Sequence, residues 1–170
     1  MGNIQLRRLL PADKNLIYKW ISDPELRKMT GTRGEPNPTS HDLWFTKKLE
    51  DANNVLLIIE SEKMPVGIIG TNNIDSVNRN AEMYLYIGEK QEKGKGIATD
   101  AVRQFVSYLK DVYQLHKVNA RIFSFNAPSI GLFEKCGFRL EGRLKEQIYL
   151  AEADTYFDLL WYSYYFEGIV

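Results

Sequence analysis

The chain predicts a mixed α/β (α+β) fold, and three observations carry that prediction. Apolar residues recur at every second position in some runs and at every third or fourth in others. The runs follow in the order strand, helices, several strands, helix, strand, helix, two strands, a layered arrangement with a crossover helix. A length of 170 residues, with 44% hydrophobic and 26% charged, suits one core in a single domain over residues 1–170.

Each element has a local reason. Ile4–Leu9 reads as a strand stopped by Pro11. Asp13 is placed to cap a helix whose apolar face is Leu16, Ile17, Trp20 and Ile21, with Pro24 closing it. Leu26–Thr30 is a further helical turn, and Gly31–Pro38 is a loop by composition. Thr39 and Asp42 stand at capping-box spacing before a helix through Leu49. Val55–Ile59 and Val66–Asn73 flank a hairpin turn at Glu62-Lys63, and residues 72–80 are polar and turn-like. Ala81–Ile87 alternates, with Ala81, Met83, Leu85 and Ile87 on one side and Glu82, Tyr84 and Tyr86 on the other. Ile97–Tyr113 carries Ile97, Ala101, Val102, Phe105, Val106 and Leu109 at helical spacing. Lys117–Phe123 is a strand, and Asn126 opens a short helix that Gly137 ends. Phe138–Leu140 opens a strand that resumes near Gln147–Leu150, and Thr155–Tyr165 is a last, aromatic strand.

Composition removes several classes of function. Formal net charge is zero, which gives no electrostatic reason to expect nucleic acid as a partner. No apolar run reaches membrane-spanning length, and Met1-Gly2-Asn3 begins neither a signal peptide nor a myristoylation motif, so a cytoplasmic protein without membrane partners is expected. Cys136 is the one cysteine, which excludes an internal disulfide and reads as a buried structural thiol. With two histidines far apart, no metal site is expected.

The most telling segment is Gln91-Glu92-Lys93-Gly94-Lys95-Gly96-Ile97-Ala98-Thr99, between a strand and a long helix. Such a turn leaves main-chain N–H groups free at the positive end of the helix dipole, a cradle for a phosphate or pyrophosphate. Gly94 and Gly96 permit the bend. The spacing fits neither a P-loop nor a dinucleotide fingerprint. With Gln91, Gly94 and Gly96 at its three positions, it resembles the Gln/Arg-x-x-Gly-x-Gly/Ala motif of the GNAT acetyltransferases. Asn126 through Gly137-Phe138, followed by Glu141-Gly142, is similar to that family's later signature. Glu141-Gly142 resembles the Glu-Gly of one branch, which includes ribosomal-protein N-terminal, spermidine and some amino-sugar-nucleotide acetyltransferases.

The resemblance implies a three-layer fold whose mostly antiparallel sheet has splayed central strands. It implies acetyl-CoA as cosubstrate, no metal, and direct acetyl transfer to a small-molecule or peptide amine, in a monomer or homodimer. It assigns the pyrophosphate to residues 91–99, an oxyanion-binding main-chain N–H to Tyr86–Ile87, and a pantetheine contact to Asn126, whose side chain is equally a helix cap. An amine attacks only when neutral, and its ordinary pKa is near roughly 10.4, so the site needs a base. Glu82 is the candidate, read either as that base or as a solvent-facing strand glutamate paired with Arg79 or Lys90. Many relatives carry a tyrosine acid where this chain has Phe133. Ser129 is the candidate replacement, read equally as a hydroxyl serving the helix end. Trp20, His41, Trp44 and Tyr149 are candidates for the acceptor pocket. A domain that binds acetyl-CoA without catalysis is the alternative.

Overall fold

The structure, a computed structural model, describes residues 4–167, so the expectations for Met1–Asn3 lie outside the described residues. Seven strands form one sheet in the order β1-β2-β3-β4-β5-β7-β6. They are β1 (Ile4–Arg8), β2 (Leu56–Ser61), β3 (Met64–Asp75), β4 (Asn80–Ile87), β5 (Lys117–Phe123), β6 (Arg139–Leu150) and β7 (Thr155–Tyr165). The helices are α1 (Lys14–Ile21), α2 (Pro24–Thr30), α3 (Pro38–Glu50), α4 (Ile97–Tyr113) and α5 (Ala127–Lys135). Among the described residues no helix is long and apolar enough to cross a membrane.

The chain gathers into two compact units. One takes the residues up to Thr71 and Leu85–Ala101, the other Asn72–Tyr84 and the residues from Val102 on. In the first, β1 pairs antiparallel with β2, and β2 with β3. Glu62 and Lys63 both take positive φ, the mirror-image turn whose twist suits a two-residue hairpin. Ile17, Trp20, Phe45, Ile58, Ile59, Ile68 and Ile69 are among its most deeply buried apolar side chains.

Three expectations are corrected here. Asp13 lies in a 3-10 turn and makes no side-chain cap to α1. Its carboxylate instead takes the two terminal nitrogens of Arg7, Nη1 and Nη2, and the Leu10 N–H. Burial works to raise its pKa, but these bonds prevail and lower it. Pro24 does not close α1; it opens α2, where its missing N–H costs nothing, and Asp23 caps the helix through the Leu26 N–H. The cap of α3 is Asn37, accepting from the Ser40 N–H at 2.9 Å, rather than Thr39.

In the second unit β5 pairs antiparallel with β7, and β7 with β6. β6 is one continuous edge strand rather than two short ones. Register shifts between Leu140 and Gly142 and between Leu144 and Ile148, with Glu146 at positive φ, absorb the residues read as a break. Beyond Ala101, Val102, Phe105, Val106 and Leu109 form the buried stripe of α4. At the foot of β6, Glu141 accepts from Lys117, Ser163 and Tyr165. Lys117 foremost, then the hydroxyls of Ser163 and Tyr165, hold its carboxyl down at about 2. Cys136 is half-buried, more open than the sequence suggests.

Candidate active site

The glycine turn begins where β4 ends. Two main-chain bonds tie that end to β3, from Gly88 N–H and Glu89 N–H to the Val66 carbonyl at 2.8 and 3.2 Å. The strands approach so closely at Gly67 that a Cβ there would lie 2.2 Å from the Tyr86 carbonyl oxygen. Glu89 then anchors the turn. Its carboxylate accepts from the Trp20 indole at 2.7 Å and the Gln91 amide at 3.1 Å, and pairs with Lys19. The indole foremost, with Gln91 and Lys19, lowers its pKa. Sequence reading missed Glu89, although its place directly before the turn and three residues ahead of Glu92 marked it as a boundary charge. Lys90 pairs with Asp23 at 2.6 Å, so both ends of this short segment are tied to the helical region.

Past Lys93 the main chain turns outward. Gly94 and Gly96 have φ of 80° and 84°, and open space lies where a Cβ would stand at either. The first helical bond of α4 runs from Asp100 N–H to the Gly96 carbonyl at 3.1 Å. The amides of Gly94, Lys95, Gly96, Ile97 and Ala98 therefore have no acceptor among the described residues. Successive free amides at the start of a 17-residue helix are an arrangement able to receive an anion. Lys93 is exposed beside it, and Lys95 pairs with Glu92 at 2.9 Å. Thr99 is buried in the first turn of α4. Donor set and open space fit a pyrophosphate. Tyr86 and Ile87 immediately precede the turn on β4, with Ile87 buried and Tyr86 edge-on to Trp20 at 6.3 Å.

The second unit holds Glu82, Asn126 and Ser129. The parallel β4–β5 ladder covers Asn80–Glu82 opposite Lys117–Asn119. Both strands continue beyond it, β4 to Ile87 and β5 to Phe123. Glu82 sits at the last rung. Its Oε1 pairs at 2.8 Å with Nη2 of Arg121, and its side chain is 15% exposed. The partner is thus neither Arg79 nor Lys90, the two that nearness in sequence suggested. Asn126 is buried and caps α5, its Oδ1 accepting from the Ser129 N–H at 3.2 Å. The Ser129 hydroxyl is half-exposed and makes no hydrogen bond among the described residues. Phe133 is buried edge-on against Phe138, with ring centres 4.9 Å apart, a core contact with no proton to give.

The aromatic residues offered for an acceptor pocket divide. Trp20 is buried, as is His41, whose Nε2 bonds the Lys14 carbonyl at 2.9 Å while its ring stacks on Trp44. Tyr149 is exposed on β6 and donates to Asp154. Among the described residues no group of His, Cys, Asp and Glu is arranged to hold a metal ion.

Known proteins resemble the chain over most of its length. The profile of the acetyltransferase (GNAT) domain matches residues 3–139. A prophage-derived, uncharacterised N-acetyltransferase of Bacillus subtilis (strain 168) is 31% identical over 156 residues, 92% of this chain and 86% of its own. A protein of the same organism named as a ribosomal N-acetyltransferase is 27% identical, over 95% of this chain and 90% of its own. The crystal structure of a spermidine N-acetyltransferase from Vibrio cholerae, in complex with CoA and spermine, superposes with a TM-score of 0.87 at 21% identity, covering 95% of each chain.

Proposed function

The chain belongs to the GNAT acetyltransferase family, and from that premise we propose that it is an N-acetyltransferase using acetyl-CoA as donor and a primary amine, of a small molecule or a peptide, as acceptor, by direct attack within a ternary complex. The row of free main-chain amides from Gly94 to Ala98 carries this reading, since it matches the diphosphate of coenzyme A. Acetyl-CoA supplies the thioester carbonyl; the chain supplies binding, orientation and proton handling. Residues Gln91–Thr99 hold the diphosphate, the Asn126 amide serves the pantetheine arm, and the main chain at Tyr86–Ile87 offers the donor for the reacting carbonyl oxygen. Glu82 takes the amine's proton. Ser129 donates a hydrogen bond to the departing sulfur, which a thiol's ordinary pKa near roughly 8.5 allows to leave as the thiolate.

The similarity to spermidine and ribosomal acetyltransferases directs the choice of acceptors for a test. Release of free thiol from acetyl-CoA is followed with polyamines, amino sugars and peptides bearing a free N-terminus. The reading requires turnover with one class at least, and saturation by CoA but not by ATP. Equal affinity for ATP and CoA, with no thiol release from any amine, overturns it.

A further inference from the structure

We propose that Arg121 is a positioning residue for acetyl transfer, holding one oxygen of Glu82 so that the other meets the incoming amine. The proposal rests on the reading of Glu82 as the base. The geometry is specific. Glu82 stands at the last rung of the β4–β5 ladder, opposite Asn119, and Arg121 lies two residues further along β5 on the same face. Its guanidinium reaches back to Oε1 of Glu82 at 2.8 Å, while Oε2 has no partner among the described residues. The glutamate is 15% exposed and the arginine 48%, so the pair sits at a boundary, its carboxylate withdrawn and its cation half in solvent. A carboxylate held by one oxygen keeps a single orientation and a free, charged acceptor lobe, which is what proton removal from an ammonium requires.

The neighbouring charged groups are committed elsewhere. On β3, Asp75 takes the N–H groups of Val77 and Asn78 and the Asn78 side chain. On β5, Lys117 pairs with Glu141 of β6, which also accepts from Ser163 and Tyr165 of β7. Opposite Arg121 on β7 stands the uncharged Trp161, and Tyr84 follows Glu82 on its own face of β4. Arg121 is thus the cation that sets the orientation of Glu82.

The test compares wild type with Arg121→Ala, Arg121→Lys, Glu82→Gln and the double variant, after circular dichroism and CoA titration confirm folding and cofactor binding. Arg121→Ala is expected to lower kcat by about tenfold or more, with the KM for acetyl-CoA unchanged. Arg121→Lys restores part of the rate. Adding Arg121→Ala to Glu82→Gln costs little more than Glu82→Gln alone, since the two act as one unit. If Glu82→Gln abolishes turnover while Arg121→Ala leaves kcat unchanged, the positioning role is overturned and the base survives. If Glu82→Gln keeps full activity, the base reading itself falls.

Discussion

Replacing Gly67 with alanine sets two strands against each other at the point where they deliver the chain into the glycine turn. The added Cβ would stand 2.2 Å from the Tyr86 carbonyl oxygen and 3.0 Å from the Ile87 Cα. Both are main-chain atoms, so no side chain can rotate away. The strands must part by about an ångström to reach ordinary contact, and overpacking of this kind costs about 1–3 kcal/mol. Parting also stretches the bonds from Gly88 and Glu89 to the Val66 carbonyl, each worth about 1 kcal/mol. A total of about 3–5 kcal/mol is expected, a fall in Tm of about 6–20 °C for a chain of this size. Because the displaced segment leads into residues 91–99, CoA affinity should fall as well. Gly131→Ala is the matched control. Gly131 lies within α5 with nothing within 4 Å of a built Cβ, so alanine there should add about 0.5–1 kcal/mol through helix propensity. Thermal melts of both variants by circular dichroism, with CoA titrations alongside, give the answer. An unchanged Tm in Gly67→Ala would refute the close-approach argument.

Other consequences are testable on the same material. Glu141→Gln removes a carboxylate whose folded-state pKa, about 2, lies below its ordinary 4.5. Its contribution is therefore present above about pH 4.5 and lost as pH falls toward 2, so the variant should be less stable at pH 7 and flatter between pH 4.5 and 2. The side chain is 38% exposed, and screening reduces the loss at neutral pH to on the order of 1–2 kcal/mol, read by urea denaturation across pH. Gly94→Asp places a side chain and a negative charge at a φ of 80° beside the amide row, and CoA affinity measured by calorimetry should drop by at least about tenfold. Asn126→Asp keeps the oxygen that caps α5 but removes the amide donor, so the KM for acetyl-CoA should rise; Asn126→Ala, which loses the cap, should cost about 1 kcal/mol of stability.

Where a periodic stripe and its end signals agreed, the sequence was enough. Ile97–Tyr113 and Thr155–Tyr165 are helix and strand over those very residues, the one bounded by the glycine turn, the other by its run of β-forming aromatics. Helix starts were less legible because several capable residues stood close together. Asn37 caps α3 ahead of Thr39 since Pro38 already fits the first helical position, and the same preference makes Pro24 an opening of α2 rather than an end of α1. The β6 bulges were unreadable, since a slip in register depends on what β7 presents opposite. In the site, the glycine turn was visible as a motif with a mechanism. The partner of Glu82 was not, because Arg121 is brought beside it by a parallel pairing whose register no local pattern encodes. Glu89 escaped notice for the same reason: its bond to Trp20 joins a turn to a distant helix.

The account depends on main-chain amides gripping a diphosphate. An amide proton–nitrogen correlation spectrum recorded during CoA titration observes them directly. The resonances of Gly94, Lys95, Gly96, Ile97 and Ala98 should shift most and saturate together, with inorganic pyrophosphate moving the same set more weakly. If those resonances stay in place while CoA saturates and others move, the cradle lies elsewhere and the central claim is wrong.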